Sequence, residues 1–205
     1  MKKYNILTIE RQYASGGSQI ARELSDRLGI KCYGQELLEL AADRIGMNKN
    51  YLRQIEESAT SSMLYSFLMN PEASLRSADL IPPTDKLFMA ESEIIKEIAD
   101  REKCIFIGRA AGSVLENRED CLRVFIYSDK ETRLKRAVEE YGISEKDAPA
   151  TLKRYDKRRS NFYSTNCSLG WEDKEGYDIM LNSGKLGVDG CVDVIIAELI
   201  VADFD

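Results

Sequence analysis

The 205-residue chain contains no histidine. That absence excludes Ser-His-Asp and Cys-His nucleophile machinery, HExxH zinc sites and any imidazole proton switch. Its chemistry must therefore run on carboxylates, Lys, Arg, Ser, Tyr, Cys or backbone amides. Cysteine is sparse as well. Cys32, Cys104, Cys121, Cys167 and Cys191 are odd in number, widely spaced and form no CxxC pair. Neither a disulfide framework nor a zinc site is expected from them, and Cys104, Cys121 and Cys191, beside apolar runs, read as small core residues. Long apolar runs are also missing. The run after Met1–Asn5 is too short for a signal peptide or a membrane span, and Val192–Val201 is broken by Asp193 and Glu198. Positive charge is in the minority, with 29 Lys+Arg against 35 Asp+Glu and a net charge of −6. This argues against general electrostatic binding to nucleic acid or an anionic membrane, while a local basic patch stays compatible with it. The absences together describe a reduced, cytoplasmic protein.

What is present is the balance of a globular protein, 43% apolar and 31% charged, in a length that suits one domain with a sizeable insertion. Tyr4–Ile9 has strand composition and stops at the small-residue turn Ala14-Ser15-Gly16-Gly17-Ser18. Ile20, Ala21, Leu24 and Leu28 then recur at helical spacing, with Gly29 as the stop. After the short piece Lys31–Tyr33, Gln35–Ile45 and Thr84–Arg101 read as helices. Cys104–Gly108 and Leu122–Tyr127 read as buried parallel strands, and Ala111–Glu116 as a short helix between them. Lys130–Glu140 and the basic Ser144–Ser160 are helical, Asn161–Gly176 is a polar loop, Tyr177–Asn182 a last strand and Val188–Val201 a closing helix. Residues 47–83 carry Pro71, Pro82 and Pro83 with weak periodicity and read as a mostly helical insertion. Alternating strands and helices predict a doubly wound α/β sandwich with a mainly parallel sheet.

A strand, a small-residue loop and a helix in succession present backbone N–H groups and a helix N-terminus to an anion. Against the pattern GxxxxGK[ST], Gly16 and Ser18 match, whereas Arg11 replaces the first glycine and Gly17 the lysine. A tight turn would require the same small residues. Three other places bear on the choice. Arg109 follows the strand Cys104–Gly108, at the carboxyl edge of the sheet where ligands bind. The run Lys153-Arg154-Tyr155-Asp156-Lys157-Arg158-Arg159 sets five cations against one carboxylate, with Arg154 and Arg158 one helical turn apart; a solvated helix face is its bland explanation. The third is Tyr177–Ser183, polar residues after the last strand.

In order, these pieces resemble the cytidylate kinase-like family of P-loop nucleoside monophosphate kinases. The resemblance runs from Ile9–Gly17 through Gly34–Leu38, Gly108-Arg109 and the arginine-rich segment to Tyr177–Asn182. It implies a P-loop NTPase-type three-layer sandwich, residues 1–205 as a single kinase domain, an acceptor-side insertion at about 47–83 and an Arg-rich lid at about 144–170. The implied chemistry is transfer of the ATP γ-phosphoryl group, with Mg²⁺, to a nucleoside monophosphate, with CMP or dCMP as default acceptor. Ser15, Gly16, Gly17 and Ser18 would cradle the donor β-phosphate, with Ser18 also near Mg²⁺. Arg154, Arg158 and Arg159 would close over the phosphates, oriented by Asp156. Arg109 would hold the acceptor, with Arg133 a further substrate-binding candidate. The partners are small-molecule nucleotides, and a homodimer is the one assembly left open.

Two departures stand out. Gly17 occupies the lysine position, which makes Arg11, across the loop, the nearest replacement charge. Ala110 stands where ordinary cytidylate kinases carry the Asp of Gly-Arg-Asp, so the acceptor is open. Two other readings follow: a kinase for another small metabolite, or a nucleotide-binding regulatory protein that has lost transfer with its lysine. The arginine cluster favours transfer, because a binder has little need of a transition-state clamp. Mutual repulsion of those arginines predicts a poorly ordered Ser144–Gly170 when no ligand is bound.

Overall fold

The computed structural model describes residues 4–47 and 83–201. In chain order these form β1 (Ile6–Arg11), α1 (Gly17–Leu28), β2 (Lys31–Tyr33), α2 (Glu36–Arg44), α3 (Pro83–Arg101), β3 (Cys104–Ile107) and α4 (Ala111–Val114). They continue with β4 (Cys121–Tyr127), α5 (Lys130–Glu139), α6 (Ala148–Asn166), β5 (Ile179–Asn182) and α7 (Ser183–Val201). All described strand pairs are parallel, in the order β2-β3-β1-β4-β5. The central strand is β1, with Ile9 beside Ile107 on one side and Val124 on the other. Its carboxyl end therefore opens between two neighbours, the place where such sheets bind ligands. No described helix is long and apolar enough to cross a membrane.

Strand alternation sorts the side chains. Leu7, Ile9, Ile105, Leu122, Val124 and Ile126 join Ile20, Ala21 and Leu24 of α1 and Cys191, Val192 and Ile195 of α7 in one buried cluster. The other face carries Thr8, Glu10, Phe106 and Phe125, with Trp171 edge-on to Phe125 at 5.5 Å. Burying one such large apolar side chain contributes about 1.5–3 kcal/mol, so the β-branched and aromatic runs fix which residues end at the carboxyl edge.

The chain divides into two compact units, Gln35–Ile95 and the remainder. The smaller one buries Leu37, Leu38, Ala41 and Ala42 of α2 and Leu87, Ala90, Ile94 and Ile95 of α3. Most of the expected insertion, residues 48–82, lies outside the described residues.

Several boundaries differ from expectation: β1 runs two residues later, over Ile6–Arg11, and β5 begins at Ile179. The short piece Lys31–Tyr33 is an edge strand on β3. The basic helix starts at Ala148 and runs to Asn166, taking six residues expected in the polar loop. Their polarity is absorbed locally: Ser164, Thr165 and Asn166 donate to the carbonyls of Ser160, Asn161 and Phe162, four residues back, while Tyr163 is buried. Helix α7 begins directly after β5 and kinks at Gly187, so only its second part matches the apolar periodicity. Helix α6 is continuous over Ala148–Asn166, and Asp156 and Arg159 fasten it to the end of β1 and the loop that follows.

Candidate active site

Residues 12–16 turn the chain from β1 into α1. Ala14 (φ 57°) and Gly16 (φ 80°) are both left-handed, which alternates the direction of successive amides into a concave anion nest. The N–H groups of Gly16, Gly17 and Ser18 have no protein acceptor among the described residues. Ser15 is turned inward: its N–H and hydroxyl both donate to the Gln12 carbonyl, at 3.3 and 2.9 Å. Its own carbonyl accepts from the Ser183 hydroxyl at 2.5 Å, so the first residue after β5 braces the loop from below. Ser18 is exposed at the start of α1.

The loop's carbonyls are held from outside by guanidinium groups. Arg159 donates to the Arg11 carbonyl at 2.7 Å, Arg133 to that of Tyr13 at 2.8 Å and Arg136 to that of Ala14 at 3.1 Å. Drawing the carbonyls outward leaves the amides facing inward. Asp156 of α6 completes the attachment by pairing with Arg133 and accepting the Tyr13 N–H at 2.8 Å. Tyr13 stacks on Tyr155, with centroids 4.4 Å apart and planes 9° from parallel. Around these contacts a small apolar cluster forms from Ala14, Ala137, Ala148 and Leu152. Burial, and then the nearby charge of Arg11, push the Arg159 guanidinium down to about 10. A buried cation under that pressure gains from an arriving anion.

The expected site residues are thus divided by position. Arg11, Arg133, Asp156 and Arg159 gather with Ser15, Gly16, Gly17 and Ser18 around the loop. Arg158 is half-buried with no hydrogen bond or ion pair among the described residues, and Arg154 is exposed, 5.2 Å from the Tyr155 ring. Arg109 lies on the turn after β3, where Gly108, Arg109 and Ala110 are all left-handed (φ 73°, 59° and 52°). Its charge helps to depress Arg11, after the larger effect of burial. Two non-glycine residues in that region cost energy and persist where surroundings over-determine them. The buried Glu10 carboxylate is one such constraint: it accepts the Ala110 N–H at 3.2 Å and the Trp171 indole N–H at 3.4 Å.

Sequence reasoning missed Arg136 and Glu10. Arg136 lies three residues after Arg133 on α5, so its sharing of a face was available from helical spacing. Glu10 gave no signal beyond its place at the end of an apolar strand. The Tyr177-Asp178 pair proves to be architectural. Asp178 accepts the Arg123 N–H at 2.8 Å and sets the entry to β5, and the Tyr177 hydroxyl donates to the Trp171 carbonyl at 2.6 Å.

Among the described residues no three His, Cys, Asp or Glu side chains cluster to hold a metal ion. The exposed Ser18 hydroxyl fits only an ion whose other ligands come from phosphate oxygens and water, which is the habit of Mg²⁺.

A sequence profile of the cytidylate kinase-like family matches residues 6–185. The chain is 27% identical over 197 residues to a cytidylate kinase of Archaeoglobus fulgidus, covering 93% of this chain and 92% of that one. It is 22% identical to a cytidylate kinase of Thermococcus kodakarensis, covering 95% and 87%. In structure it is similar to an uncharacterized protein from Eubacterium ventriosum (TM-score 0.70, 25% identity, covering 95% of this chain and 98% of that one). Shikimate kinase from Acinetobacter baumannii shares the fold, with a TM-score of 0.54, 11% identity and coverage of 100% and 97%. With a match spanning β1 to the start of α7, the chain belongs to the cytidylate kinase-like family of nucleotide kinases.

Proposed function

We propose that this protein transfers the γ-phosphoryl group of ATP to a nucleoside monophosphate, with CMP or dCMP as the default acceptor. The observation that carries the reading is the set of three amides, at Gly16, Gly17 and Ser18, without an acceptor among the described residues, on a loop to which Asp156 and Arg159 fasten the helix that carries Arg158. Phosphoryl transfer needs alignment, exclusion of water and cations on the equatorial oxygens rather than covalent help. The amides would seat the donor phosphates against the start of α1. Arg158, with Arg154 a turn away, would supply the planar fork that binds two phosphate oxygens at once. Arg159 and Arg133, committed to loop carbonyls, would act mainly by shaping the loop, with Asp156 holding them in register. Arg109 would receive the acceptor phosphate. Mg²⁺ would take the Ser18 hydroxyl and, when bound, would neutralise charge on the donor phosphates.

A pure nucleotide sensor has little need of an arginine cluster that clamps a transition state. Purified protein given ATP, Mg²⁺ and one of CMP, dCMP, UMP, AMP or shikimate tests the reading. ADP release with CMP or dCMP well above that with the others is the expected result. Preferential turnover of shikimate would move the protein to the small-metabolite reading. ATP binding without turnover of any acceptor would make it a sensor.

A further inference from the structure

Arg11 leaves β1 on the α1 side of the sheet, and its path is walled by two glycines. A Cβ built on Gly17 would lie 2.5 Å from the Arg11 Cβ, 2.9 Å from its Cγ and 3.4 Å from the Ile126 Cβ. A Cβ on Gly108 would overlap the guanidinium itself, at Nη1, with Cζ only 3.3 Å away. The stem therefore crosses Gly17, at the start of the phosphate-binding helix, and the head lies against Gly108, at the end of β3. Such spacing delivers one positive charge between the donor loop and the turn that carries Arg109. The Arg11 Nε is fully buried and has no acceptor among the described residues. An orphaned buried donor is rare in native proteins and calls for an explanation. Glu10 supplies nearby negative charge, while Arg109 and Arg159 add to the positive side.

We infer that Arg11 is the phosphate-bridging cation of this kinase, reaching from the end of β1 to the place that a lysine at position 17 serves in a GxxxxGK[ST] loop. The inference rests on the phosphoryl-transfer reading above. It explains the missing lysine and the glycine at 17 together, because the two side chains compete for one space: an arginine at 11 requires a glycine at 17. The loop has not lost its bridging charge; the charge enters from the opposite side. A guanidinium entering there can also touch two phosphate oxygens at once, where an ammonium acts as a point charge.

The test compares wild type with Arg11→Met, Gly17→Lys and the double variant Arg11→Gly/Gly17→Lys, using fluorescent ATP and ADP analogues for affinity and ADP release for turnover. Circular dichroism confirms that each protein folds. Arg11→Met keeps most of the stem's volume and should lower kcat about 100-fold or more, weakening ATP more than ADP because a bridging cation reaches the β- and γ-phosphates. Gly17→Lys alone should be no better than Arg11→Met, whereas the double variant should recover at least about tenfold in turnover or ATP affinity over either single change. Arg11→Met with wild-type turnover and unchanged preference for ATP over ADP would overturn the inference. So would a folded double variant no better than Gly17→Lys. Absence of transfer by the wild type would instead count against the phosphoryl-transfer reading. The loss of ATP-over-ADP preference in Arg11→Met would then still decide the role of Arg11.

Discussion

Asp156 accepts the main-chain N–H of Tyr13 at 2.8 Å, and through that bond the basic helix α6 is attached to the loop between β1 and α1. The same carboxylate pairs with Arg133, which is itself bound to the Tyr13 carbonyl. One residue of the loop is thus gripped at both its N–H and its C=O by a single ion pair. Asp156→Asn leaves the buried Arg133 charge without its partner, a change that costs about 3 kcal/mol in comparable sites. In a double-mutant cycle, Asp156→Asn and Arg133→Met should show a coupling of at least about 1 kcal/mol in urea unfolding. Additive effects would mean that the pair does not act as one clamp.

Arg158 and Arg159 are neighbours with different expected phenotypes. Arg159 holds the Arg11 carbonyl, so Arg159→Ala should disturb the loop and raise the KM for ATP as well as lower kcat. Arg158 has no protein partner among the described residues, and Arg158→Ala should lower kcat on the order of 10³-fold with little change in ATP affinity. Steady-state kinetics of both variants checks this, and equal kcat and KM profiles would contradict the division of roles.

Gly16 combines a left-handed backbone with a close neighbour: a Cβ there would lie 3.2 Å from the Arg136 Nη1. Gly16→Val should abolish nucleotide binding while leaving the sheet intact, because strain and crowding fall on the nest. Titration with a fluorescent ATP analogue, alongside circular dichroism, measures both halves of the expectation. Unchanged ATP affinity would show that the loop is only a turn.

At the far end of the sheet, Asp120 accepts from Arg118 at 2.8 and 3.1 Å and from Asn5, tying the start of β4 to that of β1. The hydrogen bond from Arg118 holds the Asp120 carboxyl below its ordinary value of 3.8. A depressed carboxyl contributes stability that is complete above about that value and is lost as pH falls below it. Asp120→Asn should therefore be less stable than wild type at neutral pH and should lose less stability on acidification below about pH 4. Thermal unfolding at a series of pH values between 2 and 7 would show the two curves converging at the acid end.

The sheet was legible because its strands are continuous apolar runs. Ile105–Ile107 and Val124–Ile126 announce burial on both faces, and Gly16 and Gly17 announce the turn. The loop's surroundings were less legible for a physical reason. Charge counting along the helix weighs only repulsion among its arginines, whereas Arg159 and Arg133 find loop carbonyls and Asp156 finds Arg133 and an amide. Those partners are more than a hundred residues away in sequence for the loop contacts, so local charge counting cannot reveal them. Helix α6 was cut short for a similar reason. Ser164, Thr165 and Asn166 look like loop residues until the burial of Tyr163 decides the matter. Glu10 was invisible because a carboxylate at a strand end is ordinary until the Ala110 N–H and the Trp171 indole are seen to point at it.

The most direct test of the central claim is the identity of the product. Phosphorus NMR of the protein with ATP, Mg²⁺ and CMP should show ATP converted to ADP while the CMP singlet is replaced by the two doublets of CDP. Wild-type protein that yields only inorganic phosphate, or leaves both nucleotides unchanged under the same conditions, would contradict phosphoryl transfer between nucleotides at this loop.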